Sequence, residues 1–84
     1  MGRNEIVDRR DAAVEAIDAI EAGNTTTEEA VILHYRVAEN LAVIAASQQP
    51  SKSDSPWQAY IRDLIARDVD ALRDRARRAV GSGS

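Results

Sequence analysis

Cysteine is absent from the 84 residues, so the chain can form neither a disulfide framework nor a thiolate metal site. The sequence also lacks an apolar run of about 18 residues or more, which a membrane-spanning helix would require. The first ten residues, MGRNEIVDRR, are rich in charge and lack the apolar segment of a signal peptide. We therefore expect a cytoplasmic protein that has no membrane partner.

Lysine is nearly absent as well, because ten arginines and a single lysine supply the basic charge. Alanine is the commonest residue, and this combination is typical of bacterial or phage proteins from GC-rich genomes. The charge is unevenly distributed, with a net −4 over residues 5–22 and a net +2 over residues 56–80. An acidic first segment is therefore expected to run beside a basic third one.

Glycine and proline are scarce, and two of them divide the chain. Gly23 and Pro50 separate three amphipathic runs, and no segment shows the alternation of a strand. Short connections make successive helices antiparallel. The sequence therefore predicts a single all-α domain over residues 1–80, an up-down-up three-helix bundle. Its helices are expected at about 5–22, 27–48 and 56–80, followed by a linker at about 81–84.

Each predicted helix follows a residue that is suited to cap it. Asn4, Thr26 and Ser55 each carry a side-chain oxygen that can accept a hydrogen bond from the first helical turn. Glu29 and Gln58 complete capping boxes with Thr26 and Ser55. Such well-formed caps are also typical of designed bundles. A flexible polar loop such as the one around Pro50 is not typical of them.

Helix-spaced apolar residues predict the core. The residues expected at its centre are Ile17, Leu33, Leu41, Ile61 and Leu72. Leu64 is expected on the same inward face of the third helix. Trp57 is expected to close one end of the bundle, near Ile6, Leu41 and Ile44.

Three polar residues, Arg10, His34 and Asp68, also fall on inward positions of different helices. A carboxylate beside an imidazole can orient a general base, which makes the three weak candidates for a catalytic site. A buried carboxylate also needs a partner for structural reasons alone. No serine or threonine lies nearby to act as a nucleophile, so we favour a structural role. We expect no metal site and no cofactor, because one histidine and scattered carboxylates do not form a di-metal motif.

Arginines near the end of the third helix form the one candidate binding site for nucleic acid. They are Arg73, Arg75, Arg77 and Arg78. Asp70 and Asp74 are interleaved with them, and the domain as a whole is acidic. Nucleic-acid binding is therefore an alternative hypothesis and is not the favoured one.

The second helix carries more apolar surface than two neighbouring helices can cover. Its polar residues Arg36, Glu39, Asn40 and Ser47 fall on one narrow arc, which we expect to face solvent. Beside that arc lie Ile32, Tyr35 and Val43, and Val7 or Val14 of the first helix is expected to join them. Exposed apolar patches mark interaction sites. The sequence therefore predicts a protein–protein interaction module, a docking, adaptor or regulatory domain. Its binding residues are Ile32, Tyr35, Arg36, Glu39 and Val43, and its partner is a second copy or another helical protein.

Overall fold

The computed structural model describes the backbone of residues 3–82 and the side chains of residues 5–80. Within that part the chain forms three α-helices and no strand. They are α1 (Arg3–Ala22), α2 (Thr27–Ala46) and α3 (Pro56–Ser82). The predicted all-α three-helix class is confirmed, and each predicted helix end lies within two residues of the observed one.

Three helix ends differ from the prediction. Helix α2 ends at Ala46, two residues before the predicted end at 48. Because α1 begins at Arg3, Asn4 lies within the helix and is not its N-cap. Helix α3 continues to Ser82, so the first two residues of the expected linker at 81–84 are helical. Residues 83 and 84 lie outside the described part of the chain.

The two predicted capping boxes are present. The Glu29 backbone N–H donates to Thr26 Oγ1 at 3.1 Å, and the Thr26 hydroxyl donates to Glu29 Oε1 at 3.2 Å. The Gln58 N–H donates to Ser55 Oγ at 3.2 Å, and the Ser55 N–H donates to Gln58 Oε1 at 2.8 Å. At the end of α1, Gly23 has φ +74°, the left-handed conformation that favours glycine after a helix. Short local bonds therefore fix where α2 and α3 begin and where α1 ends.

The core is small and rich in alanine. Its largest fully buried side chains are those of Ile17, Leu41 and Ile44. The other buried apolar residues are Ala13, Ala16, Val37, Val69, Leu72, Ala76 and Ala79. Of the five residues expected at the centre, Ile17, Leu41 and Leu72 are buried. The remaining two, Leu33 and Ile61, are half-buried.

Helix α3 packs less extensively against the bundle than α1 and α2 pack against each other. Two groups of ion pairs join α3 to α1: Arg10 with Asp68, and Arg75 with both Asp18 and Glu21. Residue numbers rise together along both helices in these pairs, which agrees with the predicted up-down-up direction. The bundle is elongated, with principal extents of 47 × 20 × 14 Å.

The connection from α2 to α3 was expected from its composition to be a flexible loop, but hydrogen bonds and an ion pair hold it in place. The Asp54 carboxylate accepts a hydrogen bond from the Ser51 N–H at 2.9 Å and pairs with the Arg62 guanidinium. The Asp54 and Arg62 side chains are only 19% and 20% exposed. This ion pair ties the loop to the second turn of α3.

The beginning of α3 differs most from the prediction. Trp57 is 68% exposed and Leu64 is 40% exposed, whereas both were expected in the core. The buried residues of α3 are Val69, Leu72, Ala76 and Ala79. At about 100° per residue, Trp57 and Leu64 lie to one side of the stripe that these four define. Trp57 lies near Ile6 and Ile44, as predicted, but its ring is too exposed to close the end of the bundle.

Candidate interaction surface

The outward face of α2 carries three large exposed apolar side chains. Val31 is 54% exposed, Ile32 is 58% exposed and Tyr35 is 74% exposed. All three lie in the first half of the helix, on the side away from Val37, Leu41 and Ile44. The predicted surplus of apolar surface on this helix is therefore present.

Small apolar residues continue this face through the second half of α2. Ala38, Ala42 and Ala46 are exposed. At about 100° per residue, Val31, Tyr35 and these alanines share an arc of about 80°. From Val31 to Ala46 the arc is about 22 Å long, at about 1.5 Å per residue. We call the six residues Val31, Ile32, Tyr35, Ala38, Ala42 and Ala46 the α2 surface.

Four of the five binding residues predicted from the sequence lie on or beside the α2 surface. Ile32, Tyr35, Arg36 and Glu39 are exposed, and Val43 is half-buried. Among the described residues, neither Arg36 nor Glu39 forms a side-chain ion pair within the chain. Both charges therefore remain available at the edge of the apolar face. Binding by these five residues stays a prediction.

Asn40 is the residue that the sequence placed on the wrong side of α2. It was expected to face solvent with Arg36 and Glu39, yet it is 8% exposed. Its side-chain amide donates to the Arg36 carbonyl oxygen at 2.8 Å, and its Oδ1 accepts from the Arg9 guanidinium at 3.3 Å. These bonds satisfy the amide, so it can be buried against α1 at little cost. Ser47, also expected outward, is half-buried and donates to the Ile44 carbonyl oxygen at 2.7 Å.

Burial of Asn40 turns a different side of α2 outward. The helix is rotated from the predicted orientation, so that Ala38, Ala42 and Ala46 face solvent, whereas Asn40 and Ser47 turn inward and Arg36 and Glu39 stay exposed. Sequence reasoning therefore missed Val31, Ala38, Ala42 and Ala46 as surface residues. A detectable signal was present, because Val31, Tyr35, Ala38, Ala42 and Ala45 follow the alternating four-and-three spacing of an interhelical seam.

A second exposed apolar region lies where α3 begins. A groove of about 620 Å³ opens between α1 and α3, with Ile6, Val7, Trp57, Ile61 and Ile65 among its lining residues. The Trp57 and Tyr60 rings lie 5.7 Å apart, and Tyr60 is 53% exposed. We call this region the α1–α3 groove. Val7, which was expected to join Ile32 and Tyr35, belongs to the α1–α3 groove, and Val14 is half-buried against the core.

The three candidate catalytic residues do not meet. Arg10 Nε donates to Asp68 Oδ2 at 2.5 Å, and Arg10 Nη2 donates to Asp68 Oδ1 at 3.3 Å. This hydrogen bond, together with the charge of Asp68, raises the pKa of Arg10 above its ordinary value. His34 instead lines shallow depressions with Arg73, Ala76 and Arg77, and with Ile20 at the far end of α1. Ile20 lies ten residues beyond Arg10, about 15 Å along the helix.

The misplacement of His34 has a geometric cause. The sequence prediction assumed that each helix begins level with the end of the preceding one, which places His34 beside about residue 70 of α3. The structure places it beside residues 73–80, because the nine-residue connection lets α3 begin further from the end of α2. Asp68 is also less buried than expected, since its side chain is 40% exposed and that of Arg10 is 46% exposed. The pair is a partly exposed ion pair and not a buried catalytic cluster.

Acidic neighbours compensate most of the arginines at the end of α3. The Arg75 guanidinium donates to Glu21 Oε2 at 3.1 Å and also contacts Asp18. The hydrogen bonds that Arg75 donates to Glu21 and Asp18 raise its pKa above the ordinary value. Arg73 lies 3.9 Å from Asp70, and Arg77 lies 3.7 Å from Asp74. Acidic residues of α1 pair with Arg75, and those of α3 itself pair with Arg73 and Arg77, which leaves little free positive charge for phosphate.

Over the described residues, no group of three or more acidic or histidine side chains is arranged to hold a metal ion. None of the helices described is long and apolar enough to cross a membrane. Comparison of the chain with protein-family models, with curated proteins and with solved structures gives no match.

Proposed function

We propose that this chain is a protein–protein interaction module, a docking, adaptor or regulatory domain that binds through the α2 surface. The observation that carries the proposal is the exposure of Val31, Ile32 and Tyr35 on one face of a helix whose opposite face forms the core. Single exposed aliphatic residues are ordinary on protein surfaces. A contiguous apolar face is not, and it typically marks an interaction site.

The composition of the α2 surface also fits a binding role. Tyrosine is enriched at interfaces, because its ring can be buried while its hydroxyl stays in contact with water. Full burial of a valine or isoleucine side chain contributes about 1.5–3 kcal/mol. The exposed charges of Arg36 and Glu39 border the face, as polar rims border interface cores. Together these residues have the layout of a small interface.

Other functions have less support. An enzyme that uses Arg10, His34 and Asp68 would need residues that the bundle keeps at different levels. Nucleic-acid binding through Arg73, Arg75, Arg77 and Arg78 would have to displace the acidic partners of three of them. The cytoplasmic setting and the bacterial or phage origin expected from the sequence remain part of the proposal.

The test is site-specific photocrosslinking in cells that express the chain. A photoreactive amino acid replaces Tyr35, and parallel variants carry it at Tyr60, whose ring lies beside Trp57 at the α1–α3 groove, and at Asp70. Asp70 is the matched control, because its side chain is 78% exposed and lies 3.9 Å from the Arg73 guanidinium. We expect a protein adduct from position 35 and none from position 70. Mass spectrometry of the adduct tells a second copy from a different protein.

The proposal is overturned if position 35 gives no adduct, or if positions 35 and 70 give the same adducts in equal yield. An adduct from position 60 alone would assign the binding role to the α1–α3 groove and also overturn it. Melting each variant in denaturant checks that the substitutions leave the fold intact.

A further inference from the structure

The α2 surface has large side chains at one end and small ones at the other. Val31, Ile32 and Tyr35 occupy its first half, whereas Ala38, Ala42 and Ala46 occupy its second half. When two copies of this surface pack antiparallel, the large residues of each copy lie opposite the small residues of the other, so the surface is complementary to itself. Helices pack well when large and small residues alternate across the contact.

We propose that a second copy of this chain binds antiparallel along the α2 surface. The two-fold axis passes through the interface at the level along α2 that lies midway between residues 37 and 38. The inference rests on the proposed function and names the partner. In this register, Tyr35 inserts between Ala38 and Ala42 of the partner subunit. Val31 inserts between Ala42 and Ala46 of the partner subunit. Each contact occurs twice, as a two-fold interface requires.

Charge complementarity selects the same register. Arg36 and Glu39 lie on the same flank of α2, beside the alanine row. In an antiparallel pair with a two-fold axis, residues on the same flank meet, so Arg36 lies opposite Glu39 of the partner subunit. Neither side chain has an ion-pair partner among the described residues of its own chain. The dimer would supply both.

Charge reversal tests the pairing directly. Arg36→Glu would place two glutamates opposite each other and should raise the Kd of the dimer about tenfold or more. Glu39→Arg should do the same, and the double variant R36E/E39R should restore the wild-type Kd. Mixing the two single variants should give a heterodimer. The matched control is Arg67→Glu, since the Arg67 side chain is 76% exposed and lies on α3.

Disulfide trapping tests the direction of the helices. Because the chain has no cysteine, a single introduced thiol can only bond to its own copy in a second chain. At about 1.5 Å per residue, the two copies of position 38 lie within about 2 Å of the same level, whereas the copies of position 46 lie about 25 Å apart. A disulfide requires Cα atoms within about 7 Å. Ala38→Cys should therefore form a covalent dimer readily, and Ala46→Cys should not.

The results separate this inference from the proposed function. If the purified chain stays monomeric up to a millimolar concentration, the homodimer is excluded. An adduct of position 35 with a different protein would then still support the interaction module. A dimer in which Ala46→Cys bonds to itself would contradict the antiparallel arrangement. Failure of R36E/E39R to restore the affinity would contradict the proposed register.

Discussion

Few large apolar side chains stabilise this bundle, and Leu41 is one of them. Among residues 5–80 it is one of three large side chains that are fully buried, and it belongs to one core cluster with residues of α1 and α3. Replacement by alanine removes most of that side chain and leaves a cavity that the neighbouring helices only partly fill. The loss is therefore expected to be large for a domain of this size.

We expect Leu41→Ala to lower the free energy of unfolding by about 2–5 kcal/mol in denaturant melts. Leu64→Ala is the matched control, because Leu64 is the same residue type but 40% exposed. It should cost less than about 1 kcal/mol, since part of its surface is already in water. Equal losses from the two variants would show that Leu41 is not at the centre of the core.

Asp68 was expected to be an inward-facing carboxylate that needs a partner for structural reasons. The structure confirms its pairing with Arg10 but leaves both side chains about half exposed. Exposed ion pairs contribute about 0.2–1 kcal/mol, because water and salt screen them. Asp68→Ala should therefore lower the free energy of unfolding by less than about 1 kcal/mol.

Asp68→Leu tests whether an apolar side chain can replace the carboxylate at this position. It keeps the side-chain volume at the rim of the α1–α3 groove and should be no more destabilising than Asp68→Ala. Denaturant melts in low and high salt provide the measurement, and the effect of Asp68→Ala should shrink in high salt. A loss of about 3 kcal/mol or more would show that the pair is effectively buried.

At the scale of the helices, local signals were sufficient to predict the elements. Gly23 ends α1 because it adopts the left-handed conformation, and the capping boxes at Thr26 and Ser55 fix two helix starts. These features depend on residues within one turn of each other. They can be read from the sequence without knowledge of the tertiary fold.

Helix rotation and axial position could not be predicted in the same way. Helix α2 is apolar around most of its circumference, so several rotations bury similar area, and the bonds of Asn40 with Arg9 and the Arg36 carbonyl favour one of them. The level of α3 depends on a nine-residue loop and on ion pairs with α1. The level of His34 and the exposure of Trp57 follow from these long-range contacts, and both were predicted wrongly.

Unequal packing of the helices leads to a prediction about their dynamics. The first three turns of α3 contain Trp57, Tyr60 and Leu64, all exposed, and line the open α1–α3 groove. Segments with few buried apolar contacts open at low free energy. We expect amide hydrogens at 60–66 to exchange faster than those at 13–17 and 37–44, as measured by NMR. Equal protection in all three segments would contradict the loose packing of α3.

For the whole molecule, the central claim is that the apolar face left over by the three-helix fold lies on α2 and is used for binding. The α1–α3 groove is the main competitor, because it also exposes an aromatic residue and several aliphatic ones. Tyr35 and Tyr60 provide a matched pair for this comparison. They are the same residue type, both are exposed, and each lies on a different helix.

Sedimentation equilibrium of the wild type, Tyr35→Glu and Tyr60→Glu from micromolar to millimolar concentration tests this claim most directly. We expect the wild type and Tyr60→Glu to be dimers. Tyr35→Glu should be a monomer of unchanged unfolding free energy, with a dimer Kd raised about a hundredfold. Dissociation by Tyr60→Glu with no effect of Tyr35→Glu, or a wild type that is monomeric throughout, would contradict self-association through the α2 surface.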